Sequence, residues 1–317
     1  MNEHGLFRTT TACSLALCAL LQVASGRSAF AAEDGTSAYL KGYKDFLSGV
    51  LPPDPGVYMR DDVVYYSGNI GFTSIGGRIR ADVSQWFLTD VAAPTVVTSL
   101  SILGGTYAFG ATVPIIGAGV HAGIDTARFG LSRSDSALNI GDIYLTPVIL
   151  GWHAGDFHWS TALSIIAPTG GYNSSALANT GLNYWSVLPQ FSITYFEPNS
   201  GWDVSAAFTY VINTSNPTTD YLTGNIFHLD WGVGKQLSPA WKIGAVGYLM
   251  QQVTGDSGSG ATFGADKASV WAVGPAVSYS FELNGMPMSV LAKWTHEIEA
   301  TRTFKGDTAT ASISFKF

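Results

Sequence analysis

The chain has 317 residues, with 16 Lys and Arg against 23 Asp and Glu, a formal charge of −7 and only 12% charged side chains. An ordinary soluble domain carries about 25%, and a nucleic-acid partner calls for a basic patch that is nowhere in the sequence, so both classes are excluded. A mean hydropathy of +0.19, together with 36 glycines and apolar residues that seldom run together, points to an all-β transmembrane barrel.

In chain order, Arg8 precedes a charge-free stretch from Thr9 to Gly26 whose apolar centre is Leu15 to Val23, and Ala29-Phe30-Ala31 follows. This is the pattern of a secretory signal peptide, residues 1–31, cut after Ala31. A single anchoring helix is the alternative, and its apolar core is short for a hydrocarbon layer of about 30 Å. Cys13 and Cys18 both lie in this segment, so the mature chain has no thiol for a disulfide or a metal. Leu17 is too large for the position before a lipid-acceptor Cys18. Cleavage removes Arg8, Arg27 and Glu3, leaving 14 basic and 22 acidic residues.

Glu33–Pro55 shows no alternation. Tyr39, Tyr43, Phe46 and Leu47 fall at helical spacing before Leu51-Pro52-Pro53 stops any helix. This segment, 32–56, is expected either to plug the lumen or to hang free in the periplasm.

From residue 57 to 317 the sequence alternates polar and apolar side chains, as a strand with one wet and one lipid-facing side requires. In Trp202–Ile212 the apolar set Trp202, Val204, Phe208 and Ile212 alternates with Asp203, Ser205 and Thr209. Phe227–Leu237 turns His228 and Asp230 inward, Met288–Ile298 does the same with Lys293, Thr295 and Glu297, and Phe157–Ile165 and Val187–Tyr195 place His158 and Gln190 inside. The last strand, Thr308–Phe317, alternates without exception and ends on Phe, which resembles the terminal strand of outer-membrane barrels.

Tight turns are expected at His153–Asp156, Glu197–Gly201, Leu237–Ala240 and Leu283–Pro287, and long connections at Ser132–Gly141, Pro168–Trp185, Asn213–Gly224, Val253–Lys267 and Ala300–Gly306. The sum is about twelve strands, near 57–67, 78–90, 101–122, 142–152, 157–167, 186–196, 201–212, 223–237, 240–252, 267–282, 288–299 and 307–317. Val91–Val120 has no charged residue and is long enough for a membrane helix. Its glycines, Pro114 and its β-branched residues favour a strand with bends.

The strings GDIYLTPVILGW (141–152), APTGGYN (167–173), NTGLNYW (179–185), NPTTDYLTG (216–224), QQVTGDSGSGA (251–261) and VGPAVSYSF (273–281), with LPPDPGVY (51–58), resemble the family of outer-membrane proteins named for the meta-pathway of phenol degradation. The resemblance implies a porin-like barrel that transports aromatic or other hydrophobic compounds across the outer membrane of a Gram-negative bacterium. It implies no particular substrate.

On this reading the protein is a channel for passive uptake, not an enzyme, with no cofactor and no metal. Its partners are membrane lipids and a small hydrophobic or aromatic solute, and its oligomeric state is open. Asp203, His228, Asp230, Lys293, Glu297, His158 and Gln190 are the candidate lumen lining, acting either as selectivity charges or as pairs that brace the interior. Tyr172, Tyr184, Trp185 and Tyr221 are candidate loop aromatics, for stacking on an entering ring or as an interfacial girdle. The alternatives are a barrel enzyme acting on lipids or esters, using His158 with Ser160 or His228 with Asp230, and a structural barrel without transport. His153, Asp156 and His158 straddle a turn and fall short of the usual four zinc ligands. Asp256 and Asp266 flank a Gly-rich loop without the spacing of a calcium motif.

Overall fold

A computed structural model describes residues 32–74, 79–126, 130–262, 265 and 267–317. The expected signal peptide, with Cys13 and Cys18, lies outside the described residues. After a short 3-10 turn at Glu33–Gly35 come thirteen strand segments: β1 (Gly56–Ser74), β2 (Ile79–Ile102), β3 (Gly105–Thr126), β4 (Gly130–Ile140), β5 (Ile143–Ala154), β6 (Phe157–Ala167), β7 (Ser186–Glu197), β8 (Trp202–Asn213), β9 (Ile226–Gln236), β10 (Trp241–Gln252), β11 (Ser269–Leu283), β12 (Met286–Thr301) and β13 (Lys305–Lys316). Every neighbouring pair is antiparallel. β1 pairs with β13 from Tyr58 opposite Lys316 to Asn69 opposite Lys305, and β2 pairs with both β1 and β3, so the sheet closes on itself.

β4 and β5 occupy successive stretches of the same neighbour. Ile115–Asp125 of β3 faces β4 and Thr106–Thr112 faces β5. They are one strand interrupted at Gly141–Asp142, and the barrel has twelve strands. Closure leaves no edge along the paired lengths of the twelve strands, which is the condition for a sheet to sit in hydrocarbon with its backbone groups paired, while β4, beyond the break, pairs with β3 alone.

The exposure pattern inverts that of a soluble protein. Along β8, Trp202 and Val204 are each 47% exposed while Asp203 is 0% and Ser205 2%. A water-soluble sheet would bury the Trp and expose the Asp. Here the apolar set points outward all round, with Leu88, Ile115, Phe191, Ile243 and Trp294 exposed on other strands, a surface that only lipid covers favourably. Aromatic rings gather near the short turns, with Trp241 against Tyr279 at 4.7 Å and Phe157 against Tyr195 at 5.1 Å between ring centres. No helix among the described residues is long and apolar enough to cross a membrane, so the crossing is made by strands.

The four expected tight turns and the long connections 168–185, 214–225 and 253–268 are present, the long ones all at the opposite end from the short ones. Three expectations are corrected. Val91–Val120 is not one bent strand but the end of β2 and most of β3, joined by a hairpin turn at Leu103–Gly104 with φ of 52° and 77°. Leu is an uncommon residue at a type I′ position, and the Gly104-Gly105 pair beside it reads equally as a bend within one strand. Ser132–Gly141 is not a loop but β4. It is exposed on nearly all its length, and its sequence carries no polar–apolar alternation to read. Ala300–Gly306 is short, because β12 and β13 continue to Thr301 and from Lys305.

Residues 36–55 are not helical. They run in irregular backbone between inward-facing side chains, from the long-loop end, where Gly35 accepts from the Thr303 hydroxyl, to the short-turn end, where Leu51 packs on Val97 and Ala108. The helical spacing of Tyr39, Tyr43 and Phe46 is overridden because the segment's polar backbone finds its partners on the barrel wall instead of within itself.

Candidate functional site

The lumen has two unlike walls. The wall made by β8 to β13 and β1 carries the charges, and it holds most of the N-terminal segment, from Ser37 to Leu47. His228 Nε2 lies 3.0 Å from the Ser37 hydroxyl. Asp230 accepts from the Tyr39 hydroxyl at 2.6 Å and from the backbone N–H groups of Gly42 and Lys44, each at 3.1 Å. Glu297 accepts from Lys41 at 2.6 Å and from the hydroxyls of Tyr66 and Tyr248. Asp45 sits between Arg60 at 2.9 Å and Lys293 at 2.8 Å. Lower down, Asp203 pairs with Lys242 at 2.6 Å and also accepts from Leu47 N–H, and Thr194 accepts from Gly49 N–H.

Gly42 shows how closely the segment lies on the wall. Its φ is +69°, and a Cβ there would come within 2.7 Å of the Tyr248 ring, so glycine satisfies both the torsion and the contact. Above it, Tyr39 joins an apolar cluster with Leu188, Val211, Ile226, Tyr248 and Met250 from the inward faces of β7 to β10.

The other wall is mainly apolar, with Gln85, Thr89 and Thr112 as its polar members. The inward residues of β2 include Val83, Phe87 and Val91, and those of β3 include Ile116, Ala118 and Val120. Between this wall and Tyr39, Leu40 and Tyr43 lies a cavity of about 570 Å³, within the usual size range for small-molecule sites. Its roof is residues 177–182 of the long loop after β6. The break between β4 and β5 positions that roof: Gly141 N–H bonds the carbonyl of Pro114, and Asp142 captures the N–H groups of Gly170 at 2.9 Å and Leu182 at 2.8 Å. A second cavity of about 120 Å³ lies nearer the short turns, lined by Tyr43, Gln190 and Ser192 among others.

The structure therefore brings Asp203, His228, Asp230, Lys293 and Glu297 to one wall, all buried and all in contact with the N-terminal segment. Gln190 lines the smaller cavity. His158 stands apart near the short turns, its Nδ1 2.6 Å from Nδ1 of His153. Of the loop aromatics, Tyr221 lines the large cavity, Tyr184 is buried, Trp185 is half exposed, and the Tyr172 hydroxyl reaches Glu33 and Asn216. The Tyr221 hydroxyl donates to Asp256 at 2.7 Å, and burial together with that carboxylate pushes its pKa well up. Asp220 in the same loop is held below the usual carboxylate range by the hydroxyl and N–H of Ser259.

Among the described residues the His228–Asp230 constellation does not assemble. Nδ1 of His228 has no hydrogen-bond partner, and the Asp230 carboxylate is engaged by Tyr39, Gly42 and Lys44. Among the described residues no three His, Cys, Asp or Glu side chains are placed to hold a metal. Asp266 lies outside the described residues.

Sequence reasoning missed Tyr39, Lys41, Asp45 and Arg60, which supply partners to Asp230, Glu297, Lys293 and Asp45. The first three stand in a segment without periodicity. Arg60 opens β1 beside Asp61 and Asp62, where charge density gives no hint of a partner fifteen residues earlier. The one available signal was the presence of Lys41, Lys44 and Asp45 among aromatics in a segment that already had a lumen as a possible destination.

Among solved structures, the chain is similar to the COG4313 outer membrane channel from Pseudomonas putida F1, with 14% identity, a TM-score of 0.59, and coverage of 84% of this chain and 100% of that one. That likeness establishes the fold. The β domain of the Bordetella autotransporter BrkA (12% identity, TM-score 0.39, 83% and 100% covered) and Pseudomonas aeruginosa OpdK with vanillate (8% identity, TM-score 0.33, 82% and 98% covered) are more distant. No protein of curated function matches the chain. The sequence profile of the family described as "Putative MetA-pathway of phenol degradation" matches residues 69–313, and the chain belongs to that family.

Proposed function

We propose that this protein is an outer-membrane channel for the passive uptake of small aromatic or other hydrophobic compounds, exported by a signal peptide spanning residues 1–31. The observation that carries the reading is the cavity of about 570 Å³ between the N-terminal segment and the apolar inner wall of β2 and β3. A porin for polar solutes lines its lumen with polar groups on every side. This barrel gathers its ion pairs on one wall and on the other lets Phe87, Val91, Ile116 and Val120 face the open space, with Gln85, Thr89 and Thr112 among them. An aromatic ring entering under the roof of residues 177–182 would exchange water for apolar contact, a favourable transfer of about 25 cal/mol per Å². No bond is made or broken, and the N-terminal segment acts as a plug that narrows the route to this side passage.

The test is to fill the passage without touching the charged wall. Ala118 projects into the cavity opposite Phe87. Ala118→Trp is expected to lower benzoate flux into liposomes at least fivefold while the barrel still folds, as seen by its heat-dependent gel mobility. Unchanged flux in a folded variant would exclude this passage as the route.

A further inference from the structure

At the long-loop end the backbone nitrogen of Ala32 lies 2.8 Å from Oδ2 of Asp256, in a buried contact. Asp256 is 5% exposed. Its carboxylate also accepts from the Tyr221 hydroxyl at 2.7 Å, the Gly224 N–H at 2.9 Å and Gln252 Nε2 at 2.6 Å. The next residue, Glu33, is buried as well, its carboxylate taken by Asn216 Nδ2 at 3.0 Å and the Thr219 hydroxyl at 2.7 Å. None of the ion pairs among the described residues includes Asp256 or Glu33. Every other buried carboxylate that faces the segment lower in the lumen either meets a cation or is shared by three donors from that segment. Two buried carboxylates with neutral partners only, among the described residues, are a costly arrangement, and the nitrogen of residue 32 is in direct contact with the first of them.

We infer that this nitrogen is the missing cation, created by hydrolysis of the Ala31–Ala32 bond, and that the Asp256 carboxylate is the receptor for the new chain end. Water adds across the C–N bond. The carboxylate stays on Ala31 in the released peptide, and the α-amino group of Ala32 takes up the proton as an ammonium. An amide offers Asp256 one N–H and no charge, whereas the ammonium offers three N–H donors and a full positive charge. The backbone agrees with this. Ala32 has φ +63°, where a residue with a Cβ is disfavoured by its preceding carbonyl, and removal of that carbonyl ends the constraint. Docking of the ammonium fixes the upper end of residues 32–52 as the Lys41–Glu297 and Asp45–Lys293 pairs fix the middle. The inference holds whether or not the cavity carries solute.

The test reads the chain end directly. Protein isolated from outer membranes is acetylated at pH 7 with an amine-selective reagent, folded and denatured, and its N-terminal peptide is analysed by mass spectrometry. The expected result is a mature chain starting at Ala32 whose α-amine reacts at least tenfold more slowly when folded. Asp256→Asn, which keeps the shape and removes the charge, restores reactivity to within twofold of the denatured chain. A second variant covers a failure of that one to fold: duplicating Ala32 displaces the ammonium by about 3.5 Å with Asp256 intact, and it too should react fast. A different mature N-terminus, or equal reactivity in the folded and denatured wild type, overturns the inference, as does a slow-reacting α-amine in either folded variant.

Discussion

Asp203 and Lys242 bind each other at 2.6 Å on the inward faces of β8 and β10, with Asp203 fully enclosed and Lys242 4% exposed. An ion pair so placed does more to fix geometry than to add stability, because both partners have lost their water. Removing one charge is a different matter. Lys242→Met leaves Asp203 buried and uncompensated, and an effect of about 3–5 kcal/mol is expected, seen as a lower midpoint in heat-dependent gel mobility. Pairing Lys242→Met with Asp203→Leu is expected to recover most of that loss. A single variant as stable as the wild type would mean that Asp203 is held by Ser205 and Leu47 N–H alone. Asp203, His228, Asp230, Lys293 and Glu297 were all legible as inward residues, since alternation fixes the side of a strand. Their partners were not, because no local pattern says which residues of an irregular segment will pass in front of them.

The N-terminal segment is the element on which the lumen depends. It crosses the barrel from Ala32, beside the long loops, to Leu51, beside the short turns, and along the way Tyr39, Lys41, Leu47 and Gly49 meet Asp230, Glu297, Asp203 and Thr194 in turn. A chain lacking residues 32–52 is expected to conduct ions several-fold better in planar bilayers and to lose stability, since Glu297 then has no cation and Lys293 no carboxylate. Conductance equal to that of the full chain would mean that the segment does not limit the pore. The strands themselves were readable wherever one side meets lipid and the other the lumen, as in β8, β9, β12 and β13. Reading failed where that asymmetry stops. β4 is exposed on nearly all its length, the end of β2 and the start of β3 carry no charge on either side, and a turn through Leu103 carries no turn residue until Gly104.

At the scale of the whole molecule, a closed twelve-stranded wall carries its apolar residues outside and divides its interior into a charged half, filled by its own chain, and an apolar half that stays open. The first division follows from having lipid outside, and composition already announced it through few charges and many aromatics. The second depends on which strands become neighbours of the N-terminal segment, a property of closure that no single strand displays. A barrel built in this way should favour solutes that tolerate an apolar wall over those that need water on all sides.

The most direct test of that claim is flux of benzoate, against a hydrophilic solute of similar size and charge, into liposomes with and without the purified protein, corrected for passive leak. The account predicts faster entry of benzoate by at least fivefold, with the difference abolished by Ala118→Trp. Equal flux of the two solutes, or no flux of either, would contradict it.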